Sequence, residues 1–458
     1  MKNEIREQLL SLLEEGRLKA IEEYCNEFSS SDIADAIAEL DPETMVKILR
    51  AIEIHQSGEV MGYLDLDTQV ELAEKLKKED LASLISHMLS DEGADLINEL
   101  PEPLSNSLMP LLAKAKREQL KSLAEQEEGT CGALMSADYV TVGPNMTIAQ
   151  ATEKVRLDGP HKETIYYIYV VDGSNRLLGM ISLRNLIVND PRKKVSDVMF
   201  EDLEMVKTAD PQEKAAETIQ KYDLIAIPVI NDRGQLVGVI THDDAADVIT
   251  EEQTEDILGM GKIVPTAGEM AYLKSSPFQN FLKRIPWVAS LATLGLISGT
   301  ILHTFQDSLS KLIILALYMP MLADTGGNCG TQSSTVIIRA LALKEITPKH
   351  FFRIIGKEFA TGIMMSVLLG LLAFLKVILL SSGEALPAGF TLINVGIMIS
   401  LALSIQVVTS TVVGATLPLI VSAIKLDPAL IASPALTTIV DMSGLLIYFS
   451  LAKLLLGL

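Results

Sequence analysis

Pro428-Ala-Leu-Ile-Ala-Ser-Pro-Ala-Leu-Thr-Thr-Ile-Val-Asp-Met-Ser-Gly-Leu-Leu-Ile-Tyr-Phe-Ser-Leu-Ala452 runs for 25 residues with one charge, Asp441, at its fourteenth position. About 20 apolar residues are enough for a helix to cross a bilayer core. A carboxylate at the centre of such a helix costs ~2.5–3.5 kcal/mol on insertion scales, so it has to face protein or water. Thr437, Thr438 and Ser443 surround it with hydroxyls, and Thr437 shares its helical face, four residues away. No Lys, Arg or His stands at mid-depth in another apolar stretch. Two readings remain, a buried structural hydrogen bond or a carboxylate that a cation visits.

Working back from this segment, four more apolar stretches come into view. Ile285–Leu302 and Phe359–Leu375 are uncharged, Leu312–Ile338 carries only Asp324, and residues 385–424 form an uncharged run of 40. We read five spans, with the 40-residue run as one long tilted or kinked helix and two short segments as the alternative. Arg339, Lys344, Lys349, Arg353 and Lys357 crowd the loop between the second and third spans, against Lys311 and Lys376 on the other side. Basic loops stay in the cytoplasm. The N-terminal half is therefore expected inside, and after five spans the C-terminus outside. Within the second span, Pro320-Met-Leu-Ala-Asp-Thr-Gly-Gly-Asn-Cys-Gly-Thr-Gln332 holds a proline, three glycines and two amides. Such a run is expected to break a helix, and broken backbone at membrane depth survives where it is buried or lines a cavity. Close packing of helices through small residues is the other reading.

The first 284 residues have a different character. Residues 285–458 hold 9 Lys and Arg against 7 Asp and Glu, which leaves 29 against 52 before them, a net of −23. So acidic a surface repels nucleic acid and attracts cations. Cys25, Cys131 and Cys329 are too few and scattered for a disulfide framework or a zinc site, and the charged, amphipathic N-terminus does not read as a signal peptide. Residues 1–128 show apolar spacings of three and four, as at Ile5, Leu9, Leu12 and Leu13, broken by short polar stops. Asp41-Pro42 is a helix start, an acid to cap and a proline for the first turn. Many short helices with few glycines point to an all-α superhelix. From Gly129 the composition turns to strands, and it repeats. Ile168-Tyr-Val-Val-Asp-Gly before Arg176-Leu-Leu-Gly-Met-Ile-Ser is answered by Ile227-Pro-Val-Ile-Asn-Asp before Gln235-Leu-Val-Gly-Val-Ile-Thr, with Gly179 and Gly238 offset by 59 residues. The pair resembles tandem CBS modules, about 131–192 and 196–252, an α/β unit. An amphipathic helix is expected around Gly268–Leu273 in the linker that follows.

An acidic run closes the repeat: Asp243, Asp244, Asp247, Glu251, Glu252, Glu255 and Asp256. On a helix, Asp244, Asp247, Glu251 and Glu255 fall on one stripe, and like charges at that spacing repel. Asp91 and Asp95 are likewise four apart. Bound divalent cations would relieve the repulsion; a solvated face is the bland alternative. Magnesium suits such surfaces because it sheds water reluctantly and binds through one or two carboxylates plus waters.

The order of parts resembles the MgtE family of magnesium channels over essentially the whole chain. An acidic helical domain (1–128), a CBS pair (129–256), a connecting segment (257–284) and a five-helix membrane domain (285–458) follow one another. The residues that carry the resemblance are Pro320–Gln332, Asp427-Pro-Ala-Leu430 and Asp441-Met-Ser-Gly-Leu-Leu-Ile-Tyr-Phe449. It implies a homodimer in the cell membrane with a pore between the subunits. Asp441 would hold a hydrated Mg²⁺, with Asn328, Gln332, Ser433 and Thr437 lining its path. A connecting helix at about 264–282 would act as a plug. Cytosolic Mg²⁺ would close the pore by bridging Asp91, Asp95, Asp223, Asp244, Asp247, Glu252, Glu255 and Asp256, with Asp427 at the cytoplasmic mouth. Ser433 departs from an Asn of some relatives, which leaves ion selectivity open. Pro211 falls near an acid of others, which puts one regulatory ion in doubt. CBS modules often hold the ribose of an adenine nucleotide with Thr/Ser-x-x-Asp. Thr241-His-Asp-Asp244 fits, while Ser182-Leu-Arg-Asn185 ends in Asn, so ATP binding stays open.

Other classes fare worse. A cation-coupled secondary transporter is the runner-up, with Asp441 as the coupling carboxylate, but no inverted repeat is visible. Neither GxxxxGK[ST] nor DKTG occurs, which removes an ATP-driven pump. An enzyme is not expected, because the soluble half shows no catalytic constellation.

Overall fold

The structure, a computed structural model, describes residues 2–261, 263, 275–383 and 386–458. The chain divides into two compact units, Met1–Thr250 and Glu251–Leu458. The expected linker helix at 268–273, and most of the expected plug at 264–282, lie outside the described residues.

The first unit opens with α1 (Lys2–Glu14), α2 (Leu18–Cys25), α3 (Ser30–Ile37), α4 (Pro42–Leu49), α5 (Ile54–Gly62), α6 (Leu66–Lys75), α7 (Lys78–His87), α8 (Ser90–Glu99), α9 (Glu102–Leu108) and α10 (Lys114–Ala124). From α3 to α10 the N-cap positions are residues 29, 41, 53, 65, 77, 89, 101 and 113, a strict period of 12. The first four caps, Ser29, Asp41, Glu53 and Asp65, each accept a hydrogen bond from the amide three residues on. Pro42 takes the first helical position as expected. Each helix packs on the second one after it, α3 on α5 on α7 and α4 on α6 on α8, so odd and even helices build two stacked rows. Ile21, Ile33, Ile37, Ile48, Leu72 and Leu81 are fully buried between them.

After α11 (Cys131–Leu134), the repeat folds twice. The first copy contains β1 (Thr141–Val142), α12 (Ile148–Asp158), β2 (Tyr167–Val171), β3 (Leu177–Ser182) and α13 (Leu183–Val188). The second contains β4 (Val206–Lys207), α14 (Gln212–Tyr222), β5 (Ala226–Ile230), β6 (Leu236–Thr241) and α15 (His242–Met260). In each sheet the first strand runs parallel to the middle one and the third antiparallel. Val170 pairs with Gly179 and Val229 with Gly238, and both ladders shift register at the next residue. The 59-residue offset therefore preserves register and irregularity alike. Asn175 Nδ2 and Tyr139 Oη both donate to the Leu236 carbonyl, at 2.7 and 3.0 Å, and join the copies.

The second unit is helical: α16 (Pro277–Thr304), α17 (Gln306–Lys311), α18 (Ile314–Ala342), α19 (Phe351–Leu380), α20 (Leu392–Ala423) and α21 (Pro428–Leu456). The 40-residue run is thus one 32-residue helix, α20, preceded by Thr391 as its cap. Among the described residues four helices are long and apolar enough to cross a membrane: α16, α19, α20 and α21. The expected fifth, α18, is 29 residues long, about 43 Å, but Asp324, Asn328, Gln332 and its glycines dilute its apolar character. α20 packs against α18, α19 and α21, while α16 packs on α21 and buries no residue.

One expectation is overturned here. The backbone from Pro320 to Gln332 is not broken; α18 runs helical through all of it. Its glycines serve close packing instead. Gly330 and Gly414 of α20 touch backbone to backbone, and Gly326 makes room for the side chain of Gln406.

Candidate functional site

Two groups of side chains stand out, one in each unit. In the first unit the period of 12 holds, but side-chain capping, already absent at Lys77 of α7, is absent again at α8. Its cap position is Leu89, which offers no acceptor. The CBS pair supplies one: Asp138 Oδ2 accepts from the Ser90 amide at 3.0 Å. Ser90 Oγ in turn accepts from the Ala137 amide at 2.8 Å. Lys162 and Lys116 reach Asp138 at 3.3 and 4.0 Å, and Lys116 also donates to the Met88 carbonyl at 2.8 Å. A carboxylate, two ammonium groups and a helix N-terminus thus clasp α8 to the first CBS copy.

Next to this clasp the charges do not balance. Asp91 and Glu92 occupy the first turn of α8, with Glu163 and Asp244 nearby. Asp91 Oδ1, Glu92 Oε2 and Glu163 Oε2 are buried without a hydrogen-bond partner. Burial, then the Asp244 charge, pushes Asp91 up to about 7. Burial, then Asp91, pushes Glu92 up to about 8. Burial, then Asp91 and Asp244, pushes Glu163 up to about 9. Asp244 is also raised by burial, although it accepts from Thr241 Oγ1 and N–H at 2.6 and 2.8 Å. Such crowded acids are either protonated or neutralised by a cation. Among the described residues no three His, Cys, Asp or Glu side chains converge as a bare ion requires. An ion that keeps its water shell needs no such convergence.

The sequence-based residues are only partly drawn together. Asp91 and Asp244 share the seam, and Asp247 lies close enough for its charge to raise Asp244. Asp95 is exposed one turn further along α8. Asp223 is exposed as the left-handed C-cap of α14, and Glu252 and Glu255 are exposed along α15. In the second unit, Asp256 is held above the usual carboxylate range by burial, then by Asp427 and Glu255. Asp427 caps α21 by accepting from the Ala429 amide at 2.7 Å. Ser182 caps α13 through the Asn185 amide at 3.2 Å. Sequence reasoning missed Glu92, Asp138, Glu163, Lys116 and Lys162. Only the Asp91-Glu92 pair at a helix start carried a local signal.

The membrane group centres on α18 and α21. Gly326, Cys329, Gly330 and Ser333 of α18 are buried, whereas Asp324, Asn328, Thr331 and Gln332 are exposed on the opposite side. A polar stripe in mid-helix cannot face lipid cheaply. Asp441 is half-buried on α21, with Thr437 one turn before it. A cavity of about 10 Å³ lies beside it, lined by Met319, Leu322, Ala323, Gly444, Leu445 and Tyr448. It is too small for a hydrated ion. The side chain of Ser433 lies outside the described residues.

Comparison with known proteins follows the same layout. The family described as MgtE intracellular N domain matches residues 28–129, CBS domains match 131–190 and 195–251, and the divalent cation transporter family MgtE matches 319–451. The magnesium transporter MgtE of Thermus thermophilus is 34% identical over 100% of this chain and 99% of its own length. The chain belongs to the MgtE family. The Bacillus subtilis MgtE is 30% identical over 97% of this chain and 96% of its own. Two solved structures resemble the MgtE soluble half. One, the soluble part of a magnesium transporter, has a TM-score of 0.53 at 28% identity and covers 55% of this chain and 99% of its own. The other, the cytosolic domain of the Mg²⁺ channel MgtE in complex with ATP, has a TM-score of 0.50 at 34% identity, with 53% and 99% covered. MgtE proteins are membrane transporters, not a family of enzymes, and the helical superhelix here is their intracellular domain.

Proposed function

We propose that the chain is a magnesium channel of the cell membrane, open along a path that two copies build together. The observation that carries this is the stripe of Asp324, Asn328, Thr331 and Gln332, exposed on α18 of a single copy. A second copy would cover that stripe and give it water, as an intramembrane polar face requires. Asp441 would hold the hydrated ion, and Asn328, Gln332, Ser433 and Thr437 would line its route. The basic loop between α18 and α19 supports five spans, a cytoplasmic N-terminal half and an external C-terminus.

Closing by cytosolic Mg²⁺ belongs to the same proposal. Asp91 and Asp244, half-buried and close enough for their charges to interact, would take a cation that keeps its waters. Asp95, Asp223, Asp247 and Glu252 would contribute to neighbouring weak sites. Glu255 and Asp256 would act with Asp427 at the pore mouth. ATP at the CBS pair is proposed as well, with Thr241, Asp244, Ser182 and Asn185 toward the ribose. The ATP-bound cytosolic domain of an MgtE channel supports it.

The deciding experiment is Mg²⁺ flux into liposomes that hold the full chain or Asp441→Ala. Flux is expected to vanish in the variant. Wild-type flux at equal protein would sink the pore assignment.

A further inference from the structure

Gln406 sits in the middle of α20, inside the run that reads as apolar in sequence, and none of its surface is exposed. Its Nε2 donates to the Val440 carbonyl at 2.9 Å, one residue before Asp441. Ser443 Oγ donates to the same carbonyl at 3.0 Å. The amide is wedged between two helices that leave it no slack. A Cβ added at Gly326 of α18 would lie 2.8 Å from Nε2, and one added at Gly444 of α21 would lie 2.8 Å from it as well. Its Oε1 is buried without a hydrogen-bond partner. A methionine would fill nearly the same volume without burying an unmatched oxygen, so packing alone does not call for an amide here.

We propose that Gln406 is a positioning residue for Asp441. It fixes the depth and rotation of the carboxylate relative to α18 by pinning α21 at Val440 between Gly326 and Gly444. This rests on the reading of Asp441 as the ion-holding group of the pore. Among the described residues the Gln406 side-chain hydrogen bond goes to the Val440 backbone and not to the Asp441 carboxylate. It acts through the backbone that carries Asp441, and a shift of that backbone changes how tightly the carboxylate meets a hydrated ion.

The test is Gln406→Met in the full chain, reconstituted in liposomes, with Mg²⁺ flux measured against Mg²⁺ concentration. Folded, inserted protein is quantified in parallel. The half-saturating concentration is expected to rise about three- to tenfold, the range that one interhelical hydrogen bond in a membrane supports. A purely structural role would lower flux only in proportion to folded protein and leave half-saturation where it was; that result overturns the proposal. A second readout is independent of flux. Cysteine placed by Asp441→Cys is labelled with a water-soluble cationic thiosulfonate, with and without Gln406→Met, at a rate expected to change at least threefold. Equal rates would also overturn it. If Asp441→Ala still transports, the pore reading fails instead, whatever Gln406→Met does.

Discussion

At the scale of single residues, the carboxylates divide by what surrounds them. Asp441 stands out in the sequence because a lone charge in an apolar run is conspicuous on its own. Asp441→Asn is expected to retain part of the flux that Asp441→Ala loses, since an amide still bonds the ion's waters; graded liposome flux checks the order. Asp91, Glu92 and Glu163 are held at about 7, 8 and 9, above the ordinary ~4 of an unfolded carboxyl. The folded state then binds more protons than the unfolded one between those limits, so metal-free stability falls as pH rises from about 5 to 9. Added Mg²⁺ is expected to restore more melting temperature at pH 8.5 than at pH 6, read from the soluble half of the full protein with and without chelator. An increment independent of pH would remove these groups from the metal site. The misses at this scale have two causes. Glu163, Asp138 and Lys162 owe their importance to α8, tens of residues away in sequence, and Gln406 is uncharged, so a scan for charge passes over it.

At the scale of elements, the strand repeat was readable because its pattern is local: the same apolar strand, turn and strand, 59 residues on. The 12-residue period of the first domain was not read, because its last four cap positions, Lys77, Leu89, Pro101 and Ala113, make no side-chain cap. The helix α18 was misread in one respect. Glycine lowers helix propensity by about 1 kcal/mol, but packing against α20 outweighs it where no Cβ would fit. Gly414 faces the Gly330 backbone directly, so Gly414→Ala has to push α18 and α20 apart. Overpacking of this kind costs about 1–3 kcal/mol. The detergent-solubilised variant is expected to melt several degrees lower, while Gly295→Ala, which meets open space on α16, does not; equal losses would show that the glycine contact is incidental.

At the scale of the whole molecule, the proposed gate is a balance between two arrangements, and magnesium shifts it only through its preference for one. Moving a population from 1:99 to 99:1 needs ~5.5 kcal/mol of differential binding, so several weak sites have to act together. Replacing Asp91, Asp95, Asp247 and Glu255 with Ala removes repulsion as well as ligands. Loss of the bridges is expected to win, so the variant conducts at cytosolic Mg²⁺ that shuts the wild type. Open probability recorded against cytosolic Mg²⁺ for both proteins decides it, and superimposable curves would place the gate elsewhere. The clasp at Ser90 bears on how fast such a gate answers. Lys116 and Lys162 hold Asp138 with charges that belong to the chain itself, so they stay when magnesium leaves. The helical domain is then a tethered partner, present at a high effective concentration whatever the amount of protein in the membrane. In the proposed gate its return would be a short swing rather than a diffusive search, and the delay before closing would be set by ion arrival.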